Sequence, residues 1–315
     1  MARNFAITGV GGFVAPRHLQ AIRDTGHRLV AAVDPKDAVG ILDRFAFDVR
    51  FFTEFERFDR HLEKLRRGPA ERRVHYLSIC SPNYLHDAHI RTALRVGADA
   101  ICEKPLVINP WNLDALAELE AETGRRVFTV LQLRVHPALQ ALKRCIDAES
   151  PSVQHDVELT YVTARGLWYF VSWKGSLERS GGLSTNIGIH FFDLLIWLFG
   201  RAMHSEVHVR TERRSAGFLE LERARVRWFL SAHPEDLPFA AQPGGRTTHR
   251  SISLDGQEVE FSDGFADLHT RVYQETLEGH GFGIDDARPS IELAHRIRND
   301  EVVCQPEFRH PVLLR

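Results

Sequence analysis

The chain has 315 residues, 43% of them apolar and 26% charged, with a formal net charge of −2. That length buries a full core and suits two domains of about 150 residues each, while the near-neutral charge leaves no basic footprint for nucleic acid or an anionic membrane. The four cysteines (Cys80, Cys102, Cys145, Cys304) have neither CxxC spacing nor a pairing pattern, so a reduced, cytoplasmic setting is expected.

From residue 4 to about 130, apolar runs alternate with helical periodicity. A strand is predicted over 5–9, a helix over 17–25, a strand over 29–34 and a helix over 56–67. A βαβ unit follows, with strand 76–80, helix 86–96 and strand 98–102. Asn109-Pro110 opens a helix over 111–123 that Gly124 closes, and a strand over 127–132 comes next. This order implies a parallel sheet covered on both faces, so residues 1–130 are expected to form a Rossmann-type nucleotide-binding domain of an α/β protein. No signal segment is expected ahead of the first strand.

A helix over 137–148 then leads into longer alternating runs at 157–163, 204–213, 220–231, 247–254 and 258–261. They predict a C-terminal α+β domain, residues 131–315, with a largely antiparallel open sheet covered on one face. Asp255-Gly256 marks a hairpin turn. The Pro/Gly-rich stretch 234–245 is the segment expected to be mobile, and a short helix is predicted over 290–298. The most apolar stretch, 191–199, contains Asp193 and is too short to span a bilayer.

Gly9-Val-Gly11-Gly12-Phe13-Val14-Ala15 joins the first strand to the first helix. Bare backbone N–H groups at such a helix start can cradle a pyrophosphate. Val14 stands where the usual fingerprint has glycine, so Gly9, Gly12 and Ala15 are read as the three small residues with one residue inserted. Taken alone, the segment is also compatible with a tight turn that binds nothing. Asp34, 22 positions after Gly12, ends the second strand where a carboxylate bonds an adenosine ribose diol and repels a 2′-phosphate. That favours NAD over NADP, although Lys36 nearby leaves an opening for the phosphate.

The βαβ unit carries polar residues where its strands end: Ser81-Pro82-Asn83 with His86, then Glu103-Lys104-Pro105. The carboxyl end of a parallel sheet is where ligands bind, so a lysine delivered there is placed for chemistry. Further on, Gly181-Gly182-Leu-Ser184-Thr185-Asn186-x(3)-His190-x(2)-Asp193 forms a second constellation. On a helix, Asn186, His190 and Asp193 fall within about 60° of one another, opposite an apolar stripe of Ile187, Phe191, Leu194, Leu195 and Leu198. Three polar side chains there need partners, either in a site or in a buried His-Asp bond. His86 and His89 share a helix face without a third ligand, so no metal site is expected.

Together these motifs resemble the Gfo/Idh/MocA oxidoreductase family over essentially the whole chain. The runs APRHLQAI, FFTEFERFDRHLEKLRR, CSPNYLHDAHIR, CEKPLVINPWN and STNIGIHFFDLLIWLFG look like those of its UDP-N-acetylglucosaminuronate 3-dehydrogenases of bacterial O-antigen (lipopolysaccharide) biosynthesis. The resemblance implies NAD-dependent oxidation of the C3 hydroxyl of UDP-2-acetamido-2-deoxy-D-glucuronate to the 3-keto sugar nucleotide. It also implies reoxidation of bound NADH by 2-oxoglutarate in some members, an aminotransferase downstream, and a homotetramer built through the open sheet.

For the cofactor, the resemblance points to the glycine turn (Gly9, Gly11, Gly12, Phe13, Val14) with Asp34 and Lys36. The strand-end residues Ser81, Asn83, His86, Glu103, Lys104 and Gln132 join them. For the sugar it points to Lys104, Ser184, Thr185, Asn186 and His190. Many members carry Asp where this chain has Asn186; asparagine is no base, so it is assigned to positioning a hydroxyl. Proton removal then falls to Lys104 or His190. A lysine needs desolvation to lose its proton near neutrality, whereas a histidine starts close to it. His190 is taken as the base with Lys104 polarising the same oxygen, and the reverse assignment stays open. Both implied substrates carry carboxylates, which arginine grips in bidentate fashion. Arg165 and Arg134 are the candidates, an ordinary ion pair being the alternative for each. Other readings are a dehydrogenase of a free sugar or inositol, an NAD-dependent glycosidase, and a redox sensor that binds NAD(H).

Overall fold

The computed structural model describes residues 2–238, 245–261, 265–304 and 307–314. The chain splits into two compact units, one of Met1–Val135 with Ala266–Arg288, the other of His136–Phe265 with Pro289–Arg315. The boundary expected at 130/131 therefore shifts to Val135, and a late segment returns to the first unit.

The first unit contains β1 (Asn4–Thr8), α1 (Ala15–Asp24), β2 (Arg28–Val33), β3 (Arg50–Phe52), α2 (Phe55–Arg67), β4 (Tyr76–Ile79), α3 (His86–Arg95), β5 (Asp99–Cys102), α4 (Trp111–Thr123) and β6 (Val127–Thr129). Its six strands are all parallel, in the order β3-β2-β1-β4-β5-β6. Every residue of β1 is buried, as befits a strand with helices on both sides. The order reverses between β1 and β4, so the turns leaving these two strands flank the crevice where such sheets bind ligands. Pro110 caps α4 and left-handed Gly124 ends it, as the sequence predicts.

The second unit contains α5 (Pro137–Ala148), β7 (His155–Thr163), α6 (Leu167–Val171), α7 (Leu177–Ser180), a π-helical turn (Ser184–Gly188), α8 (Ile189–Phe199), β8 (Ala202–Arg210), β9 (Arg214–Leu221), β10 (Ala224–Ser231), β11 (Thr248–Leu254) and β12 (Gln257–Glu258). They form a sheet of order β12-β11-β7-β10-β9-β8, antiparallel except for β7 beside β10. Asp255 and Gly256 both take positive φ (51° and 80°), the two-residue turn that joins β11 to β12.

Along Leu177–Phe199 the helical run has the length and hydropathy (1.3) of a membrane span, but 72% of that apolar window is buried inside the protein. It is a core helix, and Asp193 is buried within it. Of the stretch expected to be mobile, residues 239–244 lie outside the described residues.

Three expectations change. The runs 204–213 and 220–231 are three strands, because two tight turns, Thr211–Arg213 and Glu222-Arg223, carry no glycine or asparagine to announce them. After β12 the chain forms α9 (Leu268–Leu277), which packs on α1 and which the sequence reading missed. The last helix, α10 (Ile284–Asn299), starts six residues earlier than the predicted 290, with Pro289 inside it. Asp286 accepts a hydrogen bond from the Gly283 N–H (2.8 Å) at the opening of this helix.

Candidate active site

In the first unit, the glycine turn sits where β1 and β4 part. Gly9 has a φ of +72°, and a Cβ there would lie 2.6 Å from the Cys80 carbonyl carbon and 2.7 Å from the Ser81 nitrogen. A Cβ on Gly12 would come within 2.9 Å of the Gly9 oxygen. Only glycine lets the turns after β1 and β4 touch while keeping the backbone bare for a diphosphate. Phe13, at the apex, is 93% exposed.

Asp34 closes the far side. Its carboxylate accepts from the Gly11 N–H (3.0 Å) and the Lys36 N–H (2.9 Å), so the acid is fixed against the turn. Lys36 takes part through its backbone, and its side chain is exposed. A carboxylate held there fits a ribose diol and opposes a second phosphate, so the residues present suit NAD.

The turn after β4 is tied to the turn after β5 by His86. Its Nδ1 lies 2.7 Å from the Pro105 carbonyl and its Nε2 2.9 Å from the Ser81 carbonyl, in a fully buried position. Carbonyls only accept, so both bonds form at once only on a doubly protonated ring; burial acts against that charge and lowers the imidazole from its usual value. His89 is spent differently, on the hydroxyls of Ser81 (2.8 Å) and Thr8 (3.2 Å) and on the Phe55 ring. Asn83 is buried in the same turn.

Lys104 follows β5, half-buried, and a cis peptide bond joins it to Pro105. Its predecessor Glu103 points into the core, where Oε1 accepts from His18 Nε2 (2.8 Å) and His269 Nε2 (2.9 Å). Tyr273 Oη lies 2.7 Å from His18 Nδ1 and 2.6 Å from Ser78 Oγ. Burial pushes the Glu103 carboxyl up, but the two histidine bonds outweigh it and hold it well below the carboxylate range. Burial keeps the His18 ring neutral and the Tyr273 phenol protonated. The directions follow: Ser78 donates to Tyr273, Tyr273 to His18, and His18 to the carboxylate. The ligand atoms of His18, Glu103 and His269 lie within 4.8 Å of one another, a spacing a metal could also use. The hydrogen-bond chain accounts for them without one. Sequence spacing could not reveal this cluster, whose members come from α1, β4, the end of β5, and α9.

Two predicted residues of the first unit are placed otherwise than expected. Arg134 bonds Asp286 through the carboxylate (3.0 Å) and the backbone carbonyl (3.0 Å), and lies over the Phe282 ring. Gln132 lies in a 3₁₀ turn just past β6 rather than on the strand expected to carry it.

In the second unit, left-handed Gly181 and Gly182 start the turn that holds Ser184–Gly188 in π-helical form. That wider turn replaces the regular helix assumed for the spacing of Asn186 and His190; π turns recur at functional sites. Asn186 Nδ2 donates to the Tyr169 hydroxyl (2.7 Å), which is buried, and Arg165 lies over the Tyr169 ring. Ser184 is spent on Ser215 (3.0 Å), so it is turned to β9. Thr185 Oγ1 is buried without a hydrogen-bond partner among the described residues. His190 is half-buried at the start of α8.

Two family models match this chain: the NAD-binding Rossmann fold of the Gfo/Idh/MocA oxidoreductases over residues 3–131, and their C-terminal alpha/beta domain over residues 153–239. The chain belongs to the Gfo/Idh/MocA oxidoreductase family. As in that family, its first domain is an NAD-binding Rossmann domain. Among solved structures, the WlbA (WbpB) dehydrogenase of Thermus thermophilus is 56% identical, over 98% of this chain and 99% of that one, with a TM-score of 0.93. That enzyme was crystallised with NAD and alpha-ketoglutarate, and with NAD and UDP-GlcNAcA. The WlbA dehydrogenase of Bordetella pertussis, at 20% identity over 98% of both chains, shares the fold (TM-score 0.77). YteT of Bacillus subtilis, named as an oxidoreductase, is 31% identical over 118 residues; the match takes in 37% of this chain and 28% of that relative's length.

Proposed function

We propose that the protein oxidises the C3 hydroxyl of UDP-2-acetamido-2-deoxy-D-glucuronate to the 3-keto sugar nucleotide, and that 2-oxoglutarate returns the reduced cofactor to its oxidised state. The observation that carries this reading is the 56% identity over 98% of the chain to a dehydrogenase crystallised with NAD and each of those substrates. The fixed Asp34 and the bare glycine turn support NAD as the nucleotide.

When bound, NAD accepts a hydride from the carbinol carbon and, once reduced, donates one to the carbonyl carbon of the 2-oxo acid. The chain's own groups handle the proton. His190 takes it from the sugar hydroxyl, and Lys104 polarises the oxygen; in the second half-reaction they return a proton to the oxygen of the 2-oxo acid. Gln132 and Asn83 complete the cofactor's surroundings, and Asn186, held by Tyr169, orients the sugar. With Arg134 taken by Asp286, Arg165 is the better carboxylate partner. In this reading the protein is a cytoplasmic homotetramer of lipopolysaccharide sugar synthesis, and an aminotransferase consumes its ketone.

The purified protein should carry reduced-nicotinamide absorbance that 2-oxoglutarate bleaches and succinate does not. The UDP-uronate should then restore the signal and yield the 3-keto product. NAD-loaded protein that transfers no hydride from this uronate would overturn the reading. His190→Asn should slow hydride transfer by roughly 10²–10⁴-fold while the cofactor stays bound.

A further inference from the structure

Two half-buried guanidinium groups of the second unit, Arg165 and Arg250, make no side-chain hydrogen bond or ion pair with any described residue, and the Nε of each is buried. A buried charged donor without an acceptor is costly, and sites of this kind are completed by an anion. Arg250 is further specified by its surroundings. Its guanidinium carbon lies 5.7 Å from the centre of the Tyr161 ring, 5.4 Å from Phe261 and 4.3 Å from Phe265. Aromatic rings engage the flat face of a guanidinium and leave its in-plane N–H edge, the edge that reads a carboxylate in bidentate fashion.

Sheet register and ring contacts put Arg250 on the sheet face that Phe191 of α8 packs against. Arg250 on β11 is directly opposite Tyr161 on β7, so both side chains share one face. Tyr161 meets Phe191, the neighbour of His190 on α8, with ring centres 4.7 Å apart. Continuing the alternation of β7 past Tyr161 and Thr163 brings Arg165 to that face, and Arg165 lies over Tyr169, which holds Asn186. Thr185 Oγ1, one residue before Asn186, is a third buried polar atom without a partner among the described residues.

We propose that Arg250, with Arg165 on the same sheet face, is the specificity residue of this unit's site, reading the carboxylate that the uronic acid and the 2-oxo diacid have in common. This rests on the function proposed above and deepens it. Arg250 was not among the residues singled out from the sequence, where it stands alone between Thr248-His249 and Ser251.

The test is calorimetric binding to the NADH-loaded protein of two sugar nucleotides, UDP-GlcNAcA and UDP-GlcNAc, which differ only in carboxylate against hydroxymethyl at C6. The native protein should prefer the acid. Arg250→Gln should weaken the acid by roughly 10–100-fold and UDP-GlcNAc little, so that the preference collapses. Arg250→Lys should recover part of it, since an ammonium keeps the charge without the fork. An equal loss for both nucleotides would overturn the proposal, for it would assign Arg250 to the diphosphate or to holding the aromatic segment; an unchanged preference would also overturn it. Should Arg250→Gln fail to fold, Arg250→Lys and Arg165→Gln are read by the same ratio, and no change of preference in either overturns the subsite. A native protein that does not distinguish the two nucleotides refutes the proposed function itself, an outcome separate from failure of Arg250 alone.

Discussion

Glu103 and Lys104 are neighbours in sequence with opposite surroundings. The carboxylate is sealed in the core between two imidazoles, and the lysine is carried at the edge of the same turn. Through Glu103 the turn is bonded to α1, whose first residues continue the glycine turn, and to α9; through Tyr273 it reaches β4. The position of Lys104 is thereby set by four core hydrogen bonds rather than by a loop. Glu103→Ala should leave two buried N–H groups facing no acceptor and cost about 2–6 kcal/mol, about 1–3 for each. Glu103→Gln keeps an oxygen acceptor and should cost less, about 1–3 kcal/mol. Urea unfolding measures both; an alanine variant as stable as the native protein would mean the cluster does not anchor the turn.

At the scale of elements, the second sheet holds an approach that only glycine permits. A Cβ on Gly217 of β9 would sit 2.1 Å from the Glu206 carbonyl oxygen and 2.7 Å from Trp228 Cζ2, and Trp228 is fully buried. Gly217→Ala must push apart β8 and β9 or displace the indole, and should cost at least about 1–3 kcal/mol in urea unfolding; a neutral result would show that the strands separate freely there. This glycine also explains why β9 was not legible: Ser215-Ala216-Gly217 reads as a break in a β pattern, and the turns on either side lack the usual residues. The parallel sheet, by contrast, could be read almost strand by strand, because each buried run is punctuated by Gly, Pro or Asp. Only short β3 escaped. The helix α9 was missed although Leu268, Val272 and Thr276 keep an i, i+4, i+8 stripe, since its partner α1 is some 250 residues away in the chain. The candidate site divides in the same way. Lys104, Asn186 and His190 are visible because each stands in a local motif. His18, His269, Tyr273 and Arg250 acquire a role only through partners that are remote in sequence, such as the 255 positions between His18 and Tyr273.

For the whole molecule, both units bury histidines that stay neutral, and this sets how stability responds to acid. In the first unit burial pushes His89 down to about 3; in the second, burial and the Arg227 charge push His310 down to about 4. An unfolded histidine takes up its proton near 6.5. Below that pH the unfolded chain binds protons that the folded chain refuses, so stability is full above about 6.5 and falls as pH drops. The decline runs to about 4 for His310 and about 3 for His89, at no more than about 1.4 kcal/mol per pH unit for each group. The Glu103 carboxyl, held low, adds a second loss only below the ordinary carboxylate value of about 4.3. Urea midpoints measured from pH 7.5 to 4.5 should therefore fall steadily, beginning well above the carboxylate range. His89→Asn should lower the midpoint at pH 7.5, because the Ser81 and Thr8 hydroxyls lose their shared ring nitrogen, and should make the descent shallower. A native midpoint that stays flat down to pH 5, or a variant with an undiminished slope, would show that these rings protonate in place and do not limit the fold.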